Sequence, residues 1–144
     1  MRRQLLFGAE LKALTHLFCR LVEEPLQRQI EEMTVVQCWI IAFLYDNRER
    51  DIFQRDLETA FHIRRSTVTG ILQGMERRGL IRREVVEHDA RLKKLVLTDM
   101  AYGVHNEIEA RVLQVENRAM DGIREEEMAF FIDILERMKK NLTE

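Results

Sequence analysis

The hydrophobic period of this chain changes at Gly79. Before it, Val68, Leu72 and Met75, flanked by Ile71, recur at three- and four-residue steps, the spacing of one face of an α-helix. After it, β-branched Ile81, Val85, Val86 and Val96, together with Leu95 and Leu97, alternate with polar neighbours as strands do. Glycine suits the junction because it enters the left-handed conformation that closes a helix, and Arg77 and Arg78 place cations at the negative end of the helix dipole. Leu80 stands where the apolar contact of such a stop falls. The pattern predicts a helix from about Arg64 to Arg78, then two strands between Leu80 and Thr98 joined at His88-Asp89-Ala90-Arg91.

Helices account for the rest of the chain. Leu11, Leu14, Leu17, Phe18, Leu21 and Val22 mark an amphipathic helix over 9–22, which Pro25 should kink or end. Thr34 caps a second helix through Val36, Trp39, Ile40, Phe43 and Leu44, and the apolar-free run from Asp46 to Asp51 closes it in a solvated turn. A short helix follows over Gln54–Phe61. Thr98 caps a helix with Val104, Ile108, Val112 and Val115 on one face, and Asp121-Gly122 breaks it. The last helix opens on Glu125-Glu126-Glu127 and carries Met128, Phe131, Leu135, Met138 and Leu142 at 3-4-3-4 spacing, a narrow seam that a partner helix fills. A helix-turn-helix followed by a β-hairpin is the winged-helix arrangement, mostly α with a small β-hairpin wing.

At 144 residues and 46% hydrophobic content, one domain with a real core is expected. Cys19 and Cys38 are too few for a disulfide framework and share no zinc-site spacing with the four histidines, so a reducing cytoplasm is the simplest setting. The apolar start Leu5-Leu6-Phe7 is interrupted by Gly8, Glu10 and Lys12, which excludes a signal peptide or membrane span there. No glycine-rich phosphate loop, nucleophile motif or metal cluster is present, so neither an enzyme, a cofactor nor a metal is expected. The net charge of −2 argues against nucleic acid until it is divided. Residues 64–94 hold nine Lys and Arg against four acids, a net of +5, and the remaining 14 basic and 21 acidic residues give −7. A basic segment on an acidic frame attracts DNA locally.

The chemistry for such a contact lies at the start of the helix after Phe61-His62-Ile63. Arg65, Ser66, Thr67, Thr69, Gly70 and Gln73 lie away from its core face, and short hydroxyls and amides reach base edges and phosphates in a major groove. Alone, the segment reads first as a helix start rich in capping residues. It does not stand alone. Met33-Thr34-Val35-Val36-Gln37, Ser66-Thr67-Val68-Thr69, Met75-Glu76-Arg77-Arg78-Gly79-Leu80-Ile81-Arg82-Arg83, Asp89-Ala90-Arg91 and Leu97-Thr98 follow one another in the order and spacing of the MarR family of winged-helix regulators, which the chain resembles over nearly its whole length.

The resemblance implies one MarR-type unit over 1–144: a winged helix-turn-helix over about 34–98, with dimerisation helices over about 5–30 and 99–144. It implies a homodimer that reads adjacent major grooves of a near-palindromic double-stranded DNA operator, with no membrane partner, most often as a repressor released by a small-molecule effector. Carried over by position, Arg64, Arg65, Ser66, Thr67, Thr69 and Gln73 contact DNA from the recognition helix. Arg91 reaches the minor groove from the wing, Asp89 shapes the wing loop, and Arg83, Lys93 and Lys94 are phosphate contacts. Leu11, Leu14, Phe18, Met128, Phe131, Leu135, Met138 and Leu142 form the dimer interface, and an effector crevice lies between the dimer helices and the DNA-binding part. The competing reading is a winged helix used for protein contacts, its basic stretch a solvated face.

Three positions depart from the family pattern. Glu58 follows Leu57 where a small Ala is usual, which bears on how the two motif helices pack. Gly74 replaces what is often a basic residue, and Gly70 lies one turn earlier. Two glycines within a helix cost about 1 kcal/mol each relative to Ala; a close approach of DNA or of a neighbouring element is expected there before a helix that is simply less stable. His16 and His105 are expected as satisfied or solvated histidines before effector ligands, and His88 as a loop residue or phosphate contact. Cys19 and Cys38, among apolar helix residues, are expected buried and inert before oxidant-sensing.

Overall fold

The structure, a computed structural model, describes residues 6–28, 30 and 32–144. Its elements run α1 Phe7–Gln27, α2 Val35–Asp46, α3 Gln54–Phe61, α4 Arg65–Arg77, β1 Ile81–Val86, β2 Asp89–Leu97, α5 Asp99–Ala119 and α6 Glu125–Thr143. This is the expected winged helix-turn-helix between N- and C-terminal helices. The start expected at residue 5 for the N-terminal segment lies outside the described residues.

The Thr-x-x-Gln motif closes a reciprocal cap at the head of α2. Thr34 Oγ1 accepts the Gln37 N–H at 3.3 Å, and Gln37 Oε1 accepts the Thr34 N–H at 3.2 Å. Glu23 of α1 takes the Val35 N–H at 2.8 Å. Arg78, just past α4, donates to the same Gln37 Oε1 at 2.9 Å, so the motif joins the exit of α4 to the entry of α2. Leu57, Val68, Leu72, Met75, Leu80, Ile81 and Leu97 then share one buried cluster with Cys38, Ile40, Ile41 and Ile108.

Gly79 has φ +71° as its role requires. The strands pair antiparallel, Ile81 with Leu97 through Val85 with Lys93, and the other edge of β2 is covered where the Leu95 N–H reaches Ile52 O at 2.7 Å. The turn is tighter than the sequence suggests: it holds only Glu87 and His88, and β2 already begins at Asp89. Pairing then jumps from Lys93 to Asp89, leaving Ala90, Arg91 and Leu92 as a bulge without partners on β1. The expected loop residues Asp89, Ala90 and Arg91 are strand and bulge because Asp89 folds its carboxylate back onto the Arg91 N–H at 2.9 Å.

Pro25 does not end α1, which continues to Gln27. Proline removes the N–H that Leu21 O would accept four residues earlier. Arg111 of α5 replaces it, donating to Leu21 O from Nε at 2.9 Å and also from Nη2, while its Nη1 holds Gln114 Oε1 at 2.8 Å. A guanidinium from another helix thus satisfies the carbonyl that proline leaves bare. The glycines of α4 are not explained by neighbouring elements: a Cβ at Gly70 would meet nothing within 4 Å, and one at Gly74 only the Arg77 side chain at 3.8 Å.

Arg111→Met is expected to cost about 1–3 kcal/mol in urea unfolding, because a part-buried carbonyl loses its donor. The penalty should shrink in a Pro25→Ala background, where residue 25 regains its N–H. Equal penalties in the two backgrounds would contradict the pairing.

Candidate nucleic-acid interface

The turn between α3 and α4 sets the exposed edge of the recognition helix. His62 closes α3 at φ +51°, a left-handed conformation that costs a non-glycine residue about 1 kcal/mol, and extended Arg64 caps α4. With Val68, Leu72 and Met75 buried, Arg65, Ser66, Thr67, Gly70 and Gln73 are exposed, as is Arg64. Thr69 is placed differently from the reading that set it on the free surface. Its hydroxyl donates to Arg65 O at 2.9 Å and accepts from Gln54 Nε2 at 2.8 Å. Thr69 and Gln54 therefore fix the angle between α3 and α4. Sequence reasoning missed Gln54, whose partner lies 15 residues away.

In the wing, Arg91 stands on the bulge with its side chain 91% exposed. Its Nε and Nη2 hold the two Asp89 carboxylate oxygens at 3.2 and 3.3 Å, and these hydrogen bonds, first from the side chain and then from the Arg91 N–H, pull the Asp89 carboxyl below its ordinary value of 3.8. The tip cation is thus oriented before any ligand arrives.

The remaining cations divide. Arg65, Arg83, Arg91 and Lys93 line one cleft of about 380 Å³ between the helices and the wing, joined by Arg55, which sequence reasoning missed. Arg55 stacks over the Phe53 ring at 5.6 Å. Arg83 is tied to Glu76 of α4 at 3.4 Å, which couples wing to recognition helix. Lys94 is not brought into this cleft. Side chains alternate along a strand, so it faces the other way and pairs with Asp51 at 3.3 Å.

At the far end of the molecule, α6 buries none of its 19 residues. Phe130 is 64% and Leu142 83% exposed, with Phe131 and Ile132 also open. Most helix stability in proteins comes from packing an apolar face, and this seam is left largely uncovered. Met128, Phe131, Leu135 and Met138 face α1 across two apolar grooves. One of about 390 Å³ is lined by Phe7, Leu11 and Leu14, and one of about 480 Å³ by Leu14, Phe18, Trp39 and Met120. Phe18 stacks on Trp39 of α2 at 6.3 Å, tying the first helix to the winged domain.

His16 is exposed on α1, whereas His105 is buried and stacked on Tyr45 at 3.8 Å, its Nδ1 without a hydrogen bond among the described residues. His88 is exposed at the wing tip. Burial, then the nearby Glu23 charge, pushes the Cys38 thiol up to about 12 and raises that of Cys19. Among the described residues no group of three or more His, Cys, Asp or Glu is placed to hold a metal, and no helix is long and apolar enough to cross a membrane.

Known proteins share this architecture. The sequence model of the MarR family matches residues 31–92. The transcription regulator MarR from Oenococcus oeni PSU-1 is 30% identical, with 94% of this chain and 96% of that one covered at a TM-score of 0.74. MepR of S. aureus, solved as a DNA complex, is 22% identical over 94% of this chain and 97% of its own, with a TM-score of 0.83. The heme-free form of PefR matches at 22% identity and a TM-score of 0.69, covering 93% of this chain and 95% of that one.

Two measurements check the groups described above. A thiol with a raised pKa stays protonated at neutral pH, so Ellman's reagent at pH 7.5 should leave Cys38 unmodified and attack Cys19 slowly until the protein is denatured; prompt modification of Cys38 in the folded state would contradict its burial. Because the folded Asp89 carboxyl is depressed, its contribution to wing order is present above the unfolded value of 3.8 and is lost as pH falls through the folded one. An NMR titration should place the Asp89 midpoint below 3.8, and Arg91→Ala should return it toward 3.8.

Proposed function

The chain belongs to the MarR family of winged helix-turn-helix transcription regulators, and from that premise we propose that it binds an operator in duplex DNA as a homodimer and represses transcription until a small-molecule effector releases it. One observation carries the reading. The exposed edge of α4 and the bulged Arg91 of the wing flank a single cation-lined cleft. At 13 residues, α4 is about 20 Å long, and a helix of that kind fits a B-DNA major groove about 12 Å wide.

In this reading Arg65, Ser66, Thr67 and Gln73 meet base edges and phosphates in the major groove, and Arg91 enters the neighbouring minor groove. A cation in a narrow minor groove reads width and A·T content more than base identity. Arg64 and Lys93 contact phosphates, with Arg83 held beside them by Glu76. Thr69 acts through Gln54 as a positioning residue, and Lys94 through Asp51 as a brace for the wing base. The uncovered seam of α6, with Leu11, Leu14 and Phe18 of α1, meets a second copy. For the effector, the candidate is the part of the groove of about 480 Å³ on its Trp39 and Met120 side, where the winged domain meets the terminal helices beside the seam.

A gel-shift titration against the intergenic DNA beside the protein's own gene tests the reading. Binding should prefer that DNA over random duplex and weaken steeply with salt. Thr67→Ala and Arg91→Ala should each weaken operator binding about 5- to 150-fold, since one good base or groove contact is worth about 1–3 kcal/mol, while the protein remains dimeric in sedimentation. Equal affinity for random duplex would overturn the specific regulator, and indifference to both substitutions would favour a winged helix used for protein contacts.

A further inference from the structure

The cleft between α3 and the wing holds five cations, Arg55, Arg65, Arg83, Arg91 and Lys93, and one carboxylate that the fold does not use, Glu58. Arg83 and Arg91 already have acids of their own in Glu76 and Asp89. Glu58 forms no ion pair or side-chain hydrogen bond with any described residue, although it is half-buried and lines the same cleft as these cations. Five cations against the carboxylates of Glu58, Glu76 and Asp89 leave two positive charges, and without Glu58 three would remain.

The position of the cleft says what it meets. A protein that sets α4 in a major groove and Arg91 in the adjacent minor groove straddles the sugar-phosphate strand that separates those grooves. In that pose the strand would pass between the helix wall, with Arg55 and Arg65, and the wing wall, with Arg91 and Lys93. We propose that the cleft is the saddle for this strand and that Glu58 is a brake on DNA affinity built into it. The proposal rests on the DNA-binding reading above.

A carboxylate and a phosphate repel each other, and at cleft dimensions they sit within the screening length of about 10 Å at 0.1 M salt. The phosphate carries no sequence information, so the repulsion acts on every duplex alike. Glu58 therefore lowers specific and non-specific affinity by the same factor and leaves their ratio unchanged. Arg55 works in the opposite sense on the same strand, held in place by its stacking on Phe53.

The full-length wild type, Glu58→Gln, Glu58→Ala and Arg55→Gln are titrated by fluorescence anisotropy into a labelled intergenic duplex and a random duplex of equal length, over a range of salt. Thermal unfolding confirms that each variant is folded. Both Glu58 variants should bind both duplexes about three- to tenfold more tightly with the preference unchanged. Arg55→Gln should weaken both and lower the slope of log affinity against log salt by about 0.9. Unchanged or weaker binding by the two Glu58 variants would overturn the brake. So would a shift in the ratio between the duplexes, which would make Glu58 a reader of base identity. A wild type that binds both duplexes alike would overturn the sequence-specific reading alone, because the brake is still measured on the random duplex.

Discussion

One threonine hydroxyl stands where the two halves of this protein meet. Thr98 Oγ1 donates to Gly79 O at 2.5 Å and accepts the Ala101 N–H at 3.3 Å, and the Thr98 N–H reaches Leu80 O at 3.2 Å. The same residue closes the base of the wing, holds the stop of the recognition helix and caps α5. A two-stranded hairpin is marginal in water by itself, and this junction adds to the core burial of Ile81, Leu95 and Leu97 that seats it on the domain. With it, the wing is fixed against α4, and α5 leaves toward the terminal helices in a set direction. The cap at Thr34 does the same on the other side, since Gln37 accepts both from its own helix start and from Arg78 beyond α4.

Charge follows this division. The stretch from Arg64 to Lys94 carries the positive excess, and the helices outside it carry the negative one. Within the basic part, several cations are answered locally: Arg83 by Glu76, Arg91 by Asp89 and Lys94 by Asp51. These exposed pairs contribute little to stability, because exposed ion pairs are worth at most about 1 kcal/mol and salt screens them. Their effect is on geometry: they hold long side chains in one orientation, so less freedom is lost when a phosphate replaces water. The bulge at Ala90–Leu92 serves the same end by turning Arg91 out of the strand face.

Much of the fold was legible in the sequence because its signals are local. Helix phase gave Val68, Leu72 and Met75 as the buried face, Gly79 marked a stop that needs positive φ, and Thr34 and Thr98 marked caps. What could not be read depends on residues that meet only after folding. Thr69 looked like a free hydroxyl until Gln54 was placed beside it. Lys93 and Lys94 looked equivalent until the strand sent them to opposite sides. Pro25 reads as a kink or an end of the helix, yet α1 continues past it because Arg111, distant in sequence, supplies the donor that proline lacks. Arg55 gave no signal of its own, since only the packing of α3 against the wing brings it to the cleft.

The central claim is that two copies of this chain read duplex DNA with α4 in the major groove and Arg91 in the minor groove beside it. Hydroxyl-radical and dimethyl-sulfate footprinting on a bound intergenic fragment tests it most directly. The account predicts two major-groove protections centred about one helical turn apart on one face of the duplex, each flanked by a protected minor groove whose signal disappears with Arg91→Ala. A single unpaired patch, or protection that spreads evenly along the fragment, would contradict it.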